Sequence, residues 1–330
     1  YTLSLHDALP ISENCEALEE RRGHPWHAAE FISSPIAPPP DEWKEISLPR
    51  LLRFFKNPAK FLLENRLGIR LEEVSEPLEE REPFAVGGLE KYQLKQELVE
   101  CALQGGDVND LLPVFRCRGL LPPARHGEAE FREMASDAVD FAGAVQQQLG
   151  GQSLLKPLDF DISLGGFTLS GRLDGIRADQ LVRYRCAKVK SKDVVATWIE
   201  HLILNHLQES GYPLKSTLIM DGESRTFGEV ADPSALLQDI LGLYWEGLSV
   251  PLRFFPESSM AYAKKLEWNV DRARSKWEKG YNDYPGEGDD AYFRLCFGEV
   301  DPFNDDFERV ARTLLTPLIE NLGEVKPCKN

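Results

Sequence analysis

The sequence predicts an α/β protein in which a mixed β-sheet is flanked by helices, and three observations lead there. Apolar residues recur at helical spacing between residues 46 and 149. From residue 154 the pattern changes to strand alternation, which persists to about 189. Beyond that, helix-like and strand-like segments alternate, and the chain closes with helices. A sheet that buries its apolar faces needs helices packed against it, and this order of elements supplies them on both sides of the strands in sequence. At 330 residues, with 42% apolar and 28% charged side chains, the chain is long enough to bury a sizeable core.

The elements follow in order. Residues 1–12 (YTLSLHDALPIS) resemble a translated sequencing-adaptor peptide, the alternative being a short disordered tail, and on either reading carry no function. Residues 13–45 read as a linker and the end of a preceding domain: a short charged helix over 16–22, then the stiff Pro35–Pro40 run (PIAPPP). The domain is expected to occupy 46–330. Ser47 is placed to N-cap a helix over 48–55, with Pro49 in its first turn. Asn57-Pro58 starts a second helix over 59–65, ended by Gly68. After an acidic loop at 72–82, helices are expected at 89–103, 109–117 and 128–149, with 119–127 as a loop. Strands are expected at 158–164, 167–173 (after a Gly165-Gly166 turn), 181–189, 216–220 and 225–227. Helices are expected at 194–207, 236–248, 258–280, 291–297 and 304–322.

Composition excludes several classes. No run of 18 apolar residues exists, and no basic segment precedes an apolar stretch at the start, so neither a membrane helix nor a secretory signal is indicated. The six cysteines show no CxxC spacing and fit reduced thiols in a cytoplasmic protein. The run Gly286–Asp290 (GEGDD) lacks the alternating acids of an EF-hand and reads as a solvated loop. A net charge of −16 opposes DNA binding over the whole surface. The charge is uneven, however. Residues 50–70 hold six Lys or Arg against one acid, and residues 172–192 hold seven against two. Arg50, Arg53, Lys56, Lys60, Lys188, Lys190 and Lys192 are therefore candidate contacts to DNA or to an acidic partner, although solvated faces would look the same.

Gly171–Ile176 (GRLDGI) followed by Leu181–Arg185 (LVRYR) resembles the core of a restriction-endonuclease-like, PD-(D/E)XK-type nuclease. Such enzymes place one Asp at a strand, then an acid, a spacer and a Lys on the next. The acids hold Mg²⁺, which activates water, while the Lys steadies developing charge. Here Asp174 keeps the first position, but Arg183 stands for the second acid and Arg185 for the Lys. A cation at a ligand position repels Mg²⁺. The expectation is a nuclease-like fold with a degenerate site, no metal and no catalytic residue, the strands carrying Asp174 and Arg183 being adjacent and antiparallel in one central sheet. The competing reading is an active Mg²⁺-dependent exonuclease that recruits Glu128, Asp159 or Asp161 beside Asp174, with Lys188 or Lys190 as a migrated lysine.

A wider resemblance covers Ile46 to about Leu322. The blocks 46–58 (ISLPRLLRFFKNP), 65–69 (NRLGI), 82–94, Gly127-Glu128, 181–185, Trp198–Leu202 (WIEHL) and 286–290, in that order, are similar to the C-terminal domain of the RecC family. RecC is the gamma subunit of exodeoxyribonuclease V, the RecBCD helicase–nuclease. The resemblance implies a bacterial, cytoplasmic role in double-strand break repair and homologous recombination. It implies RecB-like and RecD-like partners, DNA within the complex, and Mg²⁺ and ATP used by partner subunits rather than here. It also implies that the larger helicase-like domains are missing from this chain. The AddB family is an alternative, but its iron–sulfur cysteines have no counterpart in the spacing of Cys15, Cys101, Cys117, Cys186, Cys296 and Cys328.

Overall fold

The computed structural model describes residues 30–71, 86–278, 285–298 and 300–327. The expected helix over 16–22, the acidic loop at 72–82 and the 82–84 part of the RecC-like block lie outside them. Organised structure begins before Ile46: Ile36 N–H donates to the Ser249 carbonyl at 2.9 Å, and a 3₁₀ turn over Asp41–Lys44 leads into strand β1 (Glu45–Ser47). Helices α1 (Leu48–Lys56) and α2 (Pro58–Asn65) follow, each with a proline in the first turn, where a missing N–H costs nothing. Ser47 occupies the N-cap of α1 without a side-chain hydrogen bond, whereas the Asn57 side-chain Oδ1 accepts from Lys60 N–H at 2.9 Å and caps α2.

Helices α3 (Gly88–Leu103), α4 (Leu111–Cys117) and α5 (Ala124–Leu149) form a layer of their own. Helix α5 starts four residues earlier than expected from the sequence. Gly127 permits this, because a Cβ there would lie 2.1 Å from the Pro122 carbonyl oxygen. Strands β2 (Leu158–Leu164), β3 (Phe167–Leu173) and β4 (Leu181–Arg185) come next, then α6 (Ser191–Leu207), β5 (Ser216–Met220), β6 (Glu223–Phe227) and α7 (Pro233–Glu246). The expected strand to 189 stops at Arg185, where the chain turns to enter α6 three residues early. The expected helix over 258–280 is two helices, α8 (Pro256–Tyr262) and α9 (Val270–Glu278). Lys265 and Leu266 adopt left-handed backbone between them, which no α-helix tolerates. Helices α10 (Ala291–Phe297) and α11 (Asp305–Glu320) and a two-residue strand β7 (Lys326–Pro327) end the described chain.

Among the described residues the strands form two mixed sheets, ordered β1–β3–β2 and β4–β5–β6–β7. This corrects the expectation of one central sheet. β3 pairs antiparallel with β2 and parallel with β1, while β4 pairs parallel with β5 across the α6 crossover. The antiparallel link between the two sheets is a single bridge, Ile176 to Leu181, with Val182 N–H donating to the Gly175 carbonyl at 3.0 Å. Gly175 breaks β3 before the pairing can lengthen: its φ is +66°, a backbone state that side chains disfavour.

The main core lies between the sheets and α1, α2, α6, α7 and the C-terminal helices. Phe54 stands edge-on to Phe55, Phe61 and Tyr244, with centroids 5.0–5.4 Å apart, and Phe255 gathers Trp277, Phe293, Phe297 and Phe307 within 6 Å. Each such ring pair adds roughly 0.5–1.5 kcal/mol beyond area burial. A second core joins α3, α4 and α5 to Val182, Cys186 and Ile219. The β4–β5 pair is therefore covered on both faces, by α6 and by the α3–α5 layer, which explains its continuous burial from Ser216 to Met220. No helix among the described residues is long and apolar enough to cross a membrane.

Candidate functional site

Alternation along β4 sorts its side chains onto two faces. Val182, with Tyr184 packed beside it, turns to the second core. Arg183 and Arg185 share the opposite face, toward α6. On that helix Asp193 and Glu200 lie seven residues apart, two turns of one face. Two cations at strand spacing thus meet two acids at helical spacing. Arg183 grips Glu200 with both prongs, Nε to Oε2 at 2.7 Å and Nη2 to Oε1 at 3.0 Å. Its third nitrogen, Nη1, donates to the Asp174 carbonyl at 2.7 Å and lies 3.2 Å from the Asp174 carboxylate. Gly175 makes room for this, since a Cβ there would sit 2.8 Å from Arg183 Nη1. Arg185 donates to Asp193 at 2.6 Å and to the Tyr92 hydroxyl at 3.1 Å, and lies over the Tyr92 ring.

Burial opposes the charge on Arg183, but Glu200 and Asp174 outweigh it, and the guanidinium is held more firmly protonated than usual. Arg185 follows the same pattern with Asp193 and Tyr92. Arg183, Asp174 and Glu200 line a pocket of ≈600 Å³ together with Arg177 and Tyr184. This set does not fit Mg²⁺. A permanent cation stands between the two carboxylates a metal would need; it offsets one of their two charges and repels a divalent cation from the space between them. Among the described residues no three His, Cys, Asp or Glu side chains converge as a metal site.

The alternative ligands do not join Asp174. Glu128 on α5 pairs with Arg116 and Arg132, Asp159 lies 3.8 Å from Arg172 on the outer strand β2, Asp161 is exposed, and none of the three lines the Asp174 pocket. Glu200 and Asp193 were not legible as partners of the arginines. Glu200 sits within the Trp198–Leu202 block, but nothing in the sequence says which way it faces. The Glu287–Asp289 segment is a 3₁₀ turn, and Asp290 caps α10 by accepting from Tyr292 and Phe293 N–H.

The basic candidates divide. Arg50 stacks on Trp43 at 4.3 Å. Arg53 donates to Asn65 at 3.0 Å, and Lys60 lies 3.9 Å from Glu64 and over the Tyr292 ring. Lys56 and Lys190, both exposed, share a groove with half-buried Lys192, while Lys188 is exposed beyond the end of β4. Cys101, Cys117, Cys186 and Cys296 are free thiols; Cys186 belongs to the second core and Cys296 to the main one, so they do not form one cluster.

A profile of the RecC C-terminal domain matches residues 43–267, well over half of the chain. The chain belongs to the RecC C-terminal domain family. It is 28% identical over 276 residues to RecBCD enzyme subunit RecC of Escherichia coli K12, covering 78% of this chain and 24% of that protein. The subunit of the same name from Mycobacterium tuberculosis H37Rv is 28% identical over 285 residues, 83% of this chain and 25% of that protein. The Haemophilus influenzae RecC is 26% identical over 180 residues, 52% and 16% respectively. This RecC-family chain thus spans about a quarter of the length of the first two of these relatives.

Proposed function

We propose that the chain is the non-catalytic C-terminal domain of a RecC subunit, with a nuclease-like fold whose site has become structural. In this role it holds RecB-like and RecD-like subunits and assists duplex splitting and strand guidance during double-strand break repair and homologous recombination. It works in the cytoplasm, with Mg²⁺ and ATP used by its partners. The observation that carries the reading is the contact of one Arg183 guanidinium with both Asp174 and Glu200; in this reading the arginine stands where a metal-binding acid would. Support for the nuclease-like fold comes from connectivity: the β2–β3 hairpin, an antiparallel bridge to β4, then a helical crossover to parallel β5. The family membership and the names of the relatives support the assembly.

The test has two arms. Purified chain is incubated with end-labelled linear single- and double-stranded DNA and Mg²⁺ or Mn²⁺, and no cleavage is expected. Cleavage abolished by Asp174→Ala would overturn the non-catalytic reading and favour an exonuclease. In the second arm, tagged chain is mixed with RecB and RecD from the same genome, and retention of at least one is expected. Failure to retain either removes the scaffolding role.

A further inference from the structure

Among the described residues, β1, β2, β4 and β7 form the edges of the two sheets, and three of these edges are closed. β1 is three residues long and β7 two, too short to template another strand. β4 is bridged at Leu181 to Ile176, and Val182 N–H donates to the Gly175 carbonyl. β2 is different. Its seven residues keep an unbroken register with β3, from Leu158 opposite Leu173 to Leu164 opposite Phe167. Brevity, a bulge or a proline normally blunts an edge, and β2 has none of them.

The phase of the pairing tells which backbone groups β2 leaves open. The Gly165-Gly166 turn holds two residues, so Leu164 and Phe167 on either side of it exchange both their hydrogen bonds. Alternation along an antiparallel ladder then turns the backbone groups of Ile162, Phe160 and Leu158 to β3 as well. The N–H and C=O groups of Asp159, Asp161 and Ser163 point the other way. Among the described residues these groups meet no hydrogen-bond partner. The side chains of the same three residues are exposed, while Phe160 and Ile162 are buried. The edge is acidic. Asp159 lies 3.8 Å from Arg172, its neighbour across β3, whereas Asp161 faces Ser170 and is in no ion pair among the described residues.

The charges choose the occupant. Two copies of β2 laid antiparallel about their centres would set Asp161 against Asp161, and like charges directly opposite destabilise a strand pair. Two exposed carboxylates likewise repel a phosphate backbone. A strand with Lys or Arg facing Asp159 and Asp161 gains at both positions, the arrangement that Arg172 has with Asp159 from the β3 side. Its intervening side chains would extend the face that carries half-buried Leu158 and Leu164, so they would be apolar. We propose that the β2 edge adds an extended segment of a partner protein, with basic residues at every second position, through the backbone groups of Asp159, Asp161 and Ser163. Main-chain hydrogen bonds supply the affinity in this mode, and the alternate side chains supply the selection. The proposal rests on the scaffolding reading only for the existence of a protein partner.

The experiment titrates the full, isotope-labelled chain with a capped heptapeptide of alternating valine and lysine, up to millimolar concentration, and follows the backbone amides by NMR. The Asp159, Asp161 and Ser163 amides should shift and exchange more slowly with deuterated solvent, while those of Phe160 and Ile162, already bonded to β3, keep their exchange rates. A valine–glutamate peptide should bind at least about threefold more weakly, and Asp161→Lys should weaken the lysine peptide by a similar factor, as opposite charges across a strand pair become like charges. N-methylation of one alternate set of peptide residues should abolish binding and N-methylation of the other should not, because only one set of N–H groups can face β2. Three unmoved amides at millimolar peptide, equal binding of the glutamate peptide, or equal loss on methylating either set overturns the proposal. A concentration-dependent dimer that protects the same amides overturns it in favour of a second copy. Retention of RecB or RecD with no peptide binding at β2 sinks the edge alone; peptide binding with neither subunit retained sinks the scaffolding reading alone.

Discussion

Arg183→Ala should be among the most damaging single changes to this domain. It removes both hydrogen bonds to Glu200, at 2.7 and 3.0 Å, and the 2.7 Å donor to the Asp174 carbonyl. The Arg183 side chain is 21% exposed and that of Glu200 12%, so water cannot fully replace what is removed. Breaking a buried pair costs roughly 3–5 kcal/mol, because the remaining charge is left without solvent or partner. The residual access places Arg183→Ala near the lower end, about 3 kcal/mol. Glu200→Leu should cost less, since the guanidinium keeps the exposed Asp174 beside it. Replacing both, Arg183→Met with Glu200→Leu, removes the two charges together and fills their space with apolar atoms, a change that can be nearly neutral. The double change should therefore cost at least about 2 kcal/mol less than the sum of the singles. Urea unfolding followed by tryptophan fluorescence measures all of them. A loss below about 1 kcal/mol for Arg183→Ala, or strict additivity in the cycle, would refute the view that this pair is a coupled, desolvated replacement for a metal site.

Three further outcomes are expected. Arg183→Glu places a third carboxylate beside Asp174 and Glu200. The variant should be destabilised by repulsion and regain stability with added Mn²⁺, by about 2.7 kcal/mol at a hundredfold excess over Kd; a urea midpoint indifferent to Mn²⁺ would show that position 183 is not at a ligand locus. His201 is buried, its Nε2–H donating to the Gly228 carbonyl at 2.7 Å and its Nδ1 accepting from Ser216 at 2.8 Å. Burial pulls its pKa from the ordinary 6.5 down to about 4. The unfolded chain therefore binds this proton first, so the stability it contributes is complete above pH 6.5 and is lost as pH falls toward 4, by about 3 kcal/mol at most. His201→Gln should flatten that part of a urea-midpoint profile against pH, and an unchanged profile would exclude His201 as its source. Gly171→Ala would bring a Cβ to 2.8 Å from Leu48 Cβ and 2.9 Å from Phe160 Cζ, so unfolding should show a loss of roughly 1–3 kcal/mol, and no loss would mean that α1 can move off β3 without cost.

Much of the local structure was written in the residue order. Strands 158–164, 167–173 and 216–220 fall where the sequence places them, because Phe160, Ile162, Leu169 and Leu173 must enter the core while their neighbours stay out. The helices covering 88–103 and 291–297 were legible for the same reason at helical period. Period alone failed where chain conformation depends on distant contacts. It did not reveal β1, whose three residues become a strand only by pairing with β3. Nor did it separate α8 from α9, since the left-handed residues at Lys265 and Leu266 carry no glycine signal.

The same division holds at the site. Arg183 and Arg185 could be read as cations on one face of a strand, because alternation is a property of the backbone. Their partners could not. A period of two says which face a side chain occupies but not which strand lies beside it. A helical period says that Asp193 and Glu200 share a side without saying what that side meets. Only packing of α6 across β4 brought those acids to the arginines, and only the same packing set Lys190 and Lys192 beside Lys56 and Lys276. The sequence by itself determined which charges the chain carries and on which faces. The tertiary structure decided which opposite charges meet and which stay in solvent, because Coulomb energy depends on distance and burial, and neither is local in the chain.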